Sequence, residues 1–202
     1  VFSFENLTSI MTDLLKKNIA RNITLSADEF ERFIKPFHIT TVQKKEYLLR
    51  EGEVCNFEAF INKGCFKVYH LNDKGFEQVV YFATEDWWIT DIDSFIHQTP
   101  SRLSIQALED SEILLIHKAD KEKLYEDMPK VERLFRIMTQ KTHVALQRRM
   151  TDTLSKTAAQ RYQEFMHRYP DIASRLTNIQ IAAYLGVSHE FVSKIRKKLS
   201  RS

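Results

Sequence analysis

Apolar residues along this chain change their spacing twice. From Phe2 to Asn22 they recur as Leu7, Ile10, Met11, Leu14 and Leu15, a helical period that predicts an amphipathic opening helix. Ser26-Ala27-Asp28-Glu29 then has the form of a capping box ahead of Phe30, Phe33 and Ile34, which predicts a second helix. Between Phe37 and His117 the texture shifts to short apolar or alternating runs rich in β-branched and aromatic residues. These predict strands over 39–42, 46–49, 58–62, 65–71, 77–82, 103–108 and 112–117, with turns at Asn62-Lys63-Gly64 and Asn72-Asp73-Lys74-Gly75. Many short antiparallel strands at regular spacing suggest a small barrel or jelly roll. The link from Ala83 to Pro100 is too long for a hairpin; it carries Trp87, Trp88 and Asp91 and is expected to fold over one end of the barrel.

The helical period returns after His117. Residues 120–154 contain no glycine and a single proline, Pro129, and so predict a short helix followed by a long one. On the long helix Val131, Leu134, Met138, Ala145, Leu146, Met150 and Leu154 make a stripe broken by Lys141 and Thr142. Such a stripe is read as an imperfect coiled-coil seam for dimerisation, with a face packed on the barrel of the same chain as the competing reading. Residues 155–166 predict a further helix, ended by Tyr169-Pro170, and 171–176 a short turn.

From Asn178 to Leu199 the sequence has the build of a helix-turn-helix. Ile181, Leu185, Val187, Val192 and Ile195 are apolar at the required offsets, and Ala182 is small where two helices touch. Gly186 supplies the left-handed residue that ends a helix, and Ser188 stands at the next N-cap. A helical hairpin inside an unrelated core is the competing reading. The independent agreement of offsets, cap and basic finish favours DNA, because the second helix carries His189, Glu190, Ser193, Lys194, Lys197 and Lys198 on positions the core does not need.

Charge sharpens this reading. Residues 155–202 hold nine basic side chains against three acidic ones, a balance of +6 that leaves −3 for the remainder of a chain whose net charge is +3. A basic C-terminal segment points to a polyanionic partner. The 202 residues, 43% hydrophobic and 28% charged, suffice for a globular core. Two cysteines, Cys55 and Cys65, are too few for a disulfide framework and lack zinc or iron–sulfur spacing, so no metal and no cofactor is expected. His38, His70, His97 and His117 read as ordinary surface or strand residues. No apolar run approaches membrane-spanning length and no secretory core follows Val1-Phe2-Ser3-Phe4-Glu5, so a cytoplasmic location is expected. The chain has no phosphate-cradling glycine loop, nucleophile elbow or paired catalytic carboxylates in an identifiable setting, which argues against an enzyme.

The Leu49-Arg50-Glu51-Gly52-Glu53 corner, the run Gly64-Cys65-Phe66-Lys67-Val68-Tyr69, the Ser94-Phe95 and Ala107-Leu108-Glu109 segments and the C-terminal helix pair together resemble the cyclic-AMP receptor and fumarate–nitrate regulator (Crp/Fnr) family of bacterial transcription factors. The resemblance covers nearly the whole chain. The run Trp87-Trp88-Ile89-Thr90-Asp91-Ile92-Asp93-Ser94-Phe95 is similar to a Bacteroidetes branch whose wing is short or absent. The resemblance implies an α+β chain: an N-terminal cyclic-nucleotide-binding-like β-barrel (jelly roll) over 1–118, a helical linker and long dimerisation helix over 119–154, and a helix-turn-helix domain over 155–202 with a short or absent wing. It implies double-stranded DNA as partner, a homodimer, and RNA polymerase as a further contact. A module of the same barrel acting through protein partners is the alternative.

Family members that bind cyclic AMP hold its phosphate with a Gly-Glu pair before a short helix and an Arg-Ser pair after it. Here the first place reads Ile89-Thr90-Asp91-Ile92 and the second Pro100-Ser101-Arg102, with the basic and hydroxyl residues reversed. On an alternating strand that exchange turns the guanidinium to the other face, and Asp91 repels a phosphate. Cyclic AMP is therefore not expected to bind in the family manner. Either Tyr69, Trp87, Trp88 and Phe95 line an apolar pocket for an unknown small-molecule effector, with Thr90, Asp91, Ser101 and Arg102 as polar contacts, or the tryptophans plug the barrel. On the DNA side the resemblance puts His189, Glu190 and Lys194 at base edges, with His189 where the cyclic-AMP receptor type usually has Arg. Thr177, Asn178, Gln180, Ser188, Ser193, Lys197 and Lys198 suit phosphates.

Overall fold

The computed structural model describes the backbone of residues 4–199 and the side chains of residues 12–198; Leu7, Ile10 and Met11 of the first predicted stripe lie outside the described side chains. In chain order the elements are α1 (Phe4–Ala20), α2 (Ala27–Ile34), β1 (His38–Val42), β2 (Tyr47–Leu49), β3 (Phe57–Lys63), β4 (Cys65–Leu71), β5 (Glu77–Thr84) and β6 (Trp88–Ile89). They continue as α3 (Ile92–His97), β7 (Ser104–Ala107), β8 (Ser111–His117), α4 (Lys118–Asp127), α5 (Pro129–Ser155), α6 (Ala158–Arg168), α7 (Pro170–Arg175), α8 (Asn178–Leu185) and α9 (His189–Leu199). The predicted capping box forms: the Ser26 hydroxyl accepts the Glu29 N–H, and the Glu29 carboxylate accepts the Ser26 N–H at 2.8 Å.

The strands form two four-stranded sheets, in the orders β1-β8-β3-β6 and β2-β7-β4-β5. The expected closed barrel is thus replaced by an open sandwich. Strand length gives the reason, since β6 has two residues and β2 three, too few to carry a ladder round from one sheet to the other. β3 lies inside its sheet, antiparallel to β8 with Phe60 opposite Leu114 and Ile61 opposite Ile113. Both of its faces are covered: Phe60 joins Leu114 and Ile116 in a core with helix side chains, while Ala59 and Ile61 on the other face are fully buried. Gly64 makes the β3–β4 connection at φ 115, where any Cβ would collide with Ser111, so both its conformation and its space demand glycine.

The chain divides into two compact units, residues 1–66 with 83–141, and residues 67–82 with 142–202. The hairpin 67–82, which the sequence reading keeps within 1–118, groups with the C-terminal helices, and α5 is shared between units. In the first unit the core comprises Leu15 and Ile19 of α1, Phe30 and Phe33 of α2, Phe60, Leu114 and Ile116 of the sheet, and Val131, Leu134 and Phe135 of α5. This corrects the predicted stripe of α5 in part. Val131 and Leu134, fully buried, and Met138, packed against the same core, belong to the chain's own interior; Leu146, Met150 and Leu154 stay exposed.

A buried ion pair ties α4 to this sheet. Lys121 Nζ donates to Glu58 Oε2 at 2.6 Å, with both side chains under 10% exposed, and the ammonium stands 4.0 Å from the Phe135 ring centroid. Burial lowers the Lys121 pKa, and Glu58 opposes that shift.

Candidate nucleic-acid interface and sensor site

The link 83–100 contains β6, absent from the sequence reading, and α3, which falls where the family resemblance puts a short helix. Asn18 of α1 orders its beginning: the amide donates to Asp86 O and Oδ1 at 2.9 Å, and its oxygen accepts the Trp88 indole N–H at 3.3 Å. Trp88 packs edge-on against Phe60 and Phe135, with ring centroids 5.5 and 5.1 Å away. Trp88 is partly buried and shares with Phe60 the face of the sheet that the helices cover, so it packs on the helices rather than plugging the space between the sheets. Trp87 stands at the surface, 36% exposed.

Asp91 is the N-cap of α3 and is 5% exposed. Its carboxylate accepts the Asp93 N–H at 3.2 Å and the Ser101 hydroxyl at 2.6 Å, a charge-assisted bond, while the Ser101 oxygen accepts the Leu103 N–H. The backbone around Ser101 is pinned to the 52–53 corner, with Gly52 N–H to Ser101 O at 2.8 Å and Ser101 N–H to Glu53 O at 2.7 Å. Thr90 donates to Phe57 O at 2.9 Å. Ser94 is buried, accepting the Cys55 N–H and donating to Thr99 O. Phe95, also buried, lies 5.0 Å from Lys118 Nζ and Lys121 Nζ.

Ser101 and Arg102 lie outside any strand, so the alternation expected of them does not apply; Ser101 is buried and Arg102 exposed. Tyr69 does not belong to this group: it sits on the hairpin of the other unit, buried, beneath Lys67 Nζ at 4.3 Å. The first unit therefore brings Thr90, Asp91, Phe95 and Ser101 together with their polar atoms already satisfied by the chain. Among the described residues no group of three or more His, Cys, Asp or Glu could hold a metal ion.

In the second unit α8 begins with a complete capping box. Thr177 accepts the Gln180 N–H, and the Gln180 side chain accepts the Thr177 N–H at 2.8 Å. The helix ends at Gly186, φ 69 and ψ 37, where no neighbouring atom crowds the Cα, so the left-handed turn alone calls for glycine. Ser188 accepts the Phe191 N–H at 3.3 Å and opens α9. Ile181, Ala182, Leu185 and Val192 are buried, whereas His189, Glu190, Ser193, Lys194, Lys197 and Lys198 are exposed. The Glu190 pKa is lowered by its own backbone N–H and by the Ser188 hydroxyl. His189 Nδ1 lies 3.2 Å from Glu190 Oε1.

The structure adds residues that sequence reasoning missed. Arg196 Nη1 donates to Asn178 Oδ1 at 2.6 Å, and Arg149 Nη2 donates to Val79 O and Tyr184 O, both at 2.9 Å. The Arg149 guanidinium also lies 4.1 Å from the Tyr184 ring centroid, and burial lowers its pKa. Phe82, Phe165 and Tyr184 cluster beside it, with Phe165 and Tyr184 centroids 4.8 Å apart. Only the basic character of these arginines is visible in the sequence. The partners of Arg149 lie 35 and 70 residues away along the chain, and that of Arg196 lies across the turn.

Residues 39–128 match the family model of the cyclic nucleotide-binding domain. The chain is similar in structure to FixK2 from Bradyrhizobium japonicum, with 21% identity and a TM-score of 0.73 over 82% of this chain and 85% of that one. It is similar also to CLP, a c-di-GMP responsive global regulator of Xanthomonas campestris, with 16% identity and a TM-score of 0.73 over 87% and 92% of the two chains. A mutant of CooA from Carboxydothermus hydrogenoformans gives 17% identity and a TM-score of 0.68 over 92% and 84%. No curated protein sequence matches the chain significantly. These likenesses establish the fold, an α+β arrangement of a cyclic-nucleotide-binding sandwich and a long helix. No described helix is long and apolar enough to cross a membrane.

Proposed function

We propose that the chain is a transcription regulator of the Crp/Fnr type, which binds double-stranded DNA sequence-specifically as a homodimer and is not switched by cyclic AMP in the usual way. The observation that carries this reading is the pair of helices α8 and α9, joined through Gly186. Val192 is fully buried, while Glu190, Lys194 and Lys197 share the opposite, exposed side of α9. A helix so divided can enter a major groove without unpacking its support. The fold likeness to regulators, CLP among them, supports the reading.

The second half of α5 offers the seam for a partner helix. Leu146, Met150 and Leu154 recur every fourth residue and are 42, 62 and 80% exposed. In the sensor, Asp91 already takes the Ser101 hydroxyl, and Arg102 faces solvent, so an incoming phosphate meets a carboxylate where it needs a cation. Bound near a promoter, such a dimer would meet RNA polymerase, and it works in the cytoplasm with the DNA.

Substitution on α9 tests the reading. Lys194→Ala, or Glu190→Ala, relaxes the preference at one base pair per half-site; for Lys194 the loss of discrimination is roughly 1–3 kcal/mol. Lys197→Ala weakens binding on every sequence and reduces the salt slope by about one. Variants of both kinds that altered binding identically on all duplexes would contradict the proposed roles.

A further inference from the structure

The exposed side of α9 does not account for Arg196. Its guanidinium turns back to the start of α8, where Nη1 donates to the Asn178 side-chain oxygen at 2.6 Å. The Asn178 amide nitrogen in turn lies 3.4 Å from the Ser193 hydroxyl, which donates to His189 O at 3.0 Å. Ser193 and Arg196 are three residues apart, on one side of α9, so Asn178 bridges consecutive turns of that helix. The Arg196 charge also reaches Tyr162 of α6, whose phenol pKa is raised by burial and drawn back down by Arg196.

The chemistry of this arrangement is that of a held but unspent cation. The partner of Arg196 is a neutral amide, and among the described residues no carboxylate pairs with it. Lys156 is the contrast, placed 2.8 Å from Asp152 and 2.5 Å from Glu164 and so locally neutralised. A guanidinium has five N–H donors in a rigid fork; one bond to Asn178 fixes the plane and leaves the rest for an acceptor outside the chain. Planar, multidentate donation is suited to phosphate oxygens.

We infer that Arg196 is a phosphate-binding residue of the DNA interface and that Asn178 is its positioning residue, acting on DNA through Arg196 rather than by direct contact. This rests on the DNA-binding reading above and assigns within it a charge that the α9 sequence pattern does not single out. Holding the side chain before DNA arrives reduces the freedom lost on binding.

The test is a double-substitution cycle on the full chain, measuring binding to a mixed-sequence duplex between about 50 and 200 mM salt. Arg196→Ala is expected to weaken binding and lower the salt slope by about one. Asn178→Ala is expected to weaken binding several-fold with the slope unchanged, since the charge remains. The double variant should bind no more weakly than Arg196→Ala alone, and Arg196→Lys should restore the slope. A purely structural role for Asn178 would make its effect additive in both backgrounds, and that result overturns the assignment, as does an unchanged slope in Arg196→Ala. Wild-type chain that binds no duplex overturns the DNA reading itself, and this inference with it.

Discussion

Glu58 and Lys121 form a costly polar contact in the first unit, because each side chain is almost wholly removed from water. Removing one partner of a buried pair strands the other, which typically costs about 3–5 kcal/mol. Glu58→Gln should therefore lower the unfolding free energy by about that amount at neutral pH, as read by urea denaturation. The pH dependence has a definite sign. Burial lowers the Lys121 pKa below its ordinary 10.5, so the folded state sheds the proton before the unfolded state does. The unfolded state then binds more protons, and this lysine's contribution to stability rises with pH in the alkaline range below 10.5. The deficit of Glu58→Gln should shrink there; a deficit constant with pH would contradict the account. Neither residue is marked in the sequence, where a lysine in an α4 rich in charge looks solvated. Asp91 is the opposite case. Its charge and its place in the link are legible, but its partnership with Ser101 is not, because the nine intervening residues have to fold back on the 52–53 corner first.

At the scale of elements, legibility follows how local the determining contacts are. The starts of α2 and α8 are set by capping boxes closed within four residues, and both helices are readable from the sequence. Periodicity marks neither β6 nor α3, since their order comes from Asn18 and Cys55, far along the chain, and only the family resemblance puts a short helix at α3. The sequence predicts α5 as one long helix, as observed, with an apolar stripe running most of its length. The structure divides that stripe at the middle, because Val131, Leu134 and Met138 meet the first unit's core, whereas Leu146, Met150 and Leu154 stay exposed among the described residues. Arg149 lies in the second half and joins β5 to α8 through two carbonyls. Arg149→Ala should leave those carbonyls unsatisfied at a cost of about 1–3 kcal/mol each where they stay dry. Hydrogen exchange should then quicken around Val79 and Tyr184 ahead of the rest of the chain, and Arg149→Lys should not restore protection, since an ammonium cannot span both oxygens and stack on Tyr184. Exchange that quickened evenly throughout would remove the special role of this arginine.

For the whole molecule, the sheet-then-helix order of the chain is enough to indicate an α+β fold with a basic C-terminal end, because periodicity and charge are summed over many residues and tolerate local error. Whether the strands close into a barrel depends on the lengths of β2 and β6, and which residues around Asp91 are already satisfied depends on side-chain partners; neither is written in periodicity. The function proposed above is that of a DNA-reading dimer in which Asp91 would oppose a phosphate beside Ser101. One measurement tests this most directly: a nuclease footprint of the purified chain on duplexes selected from a random-sequence library, with and without cyclic AMP. The account predicts the same protection in both lanes, over two symmetric half-sites with centres about 34 Å apart. Absence of a protected site, or protection that appears only when cyclic AMP is added, would contradict it.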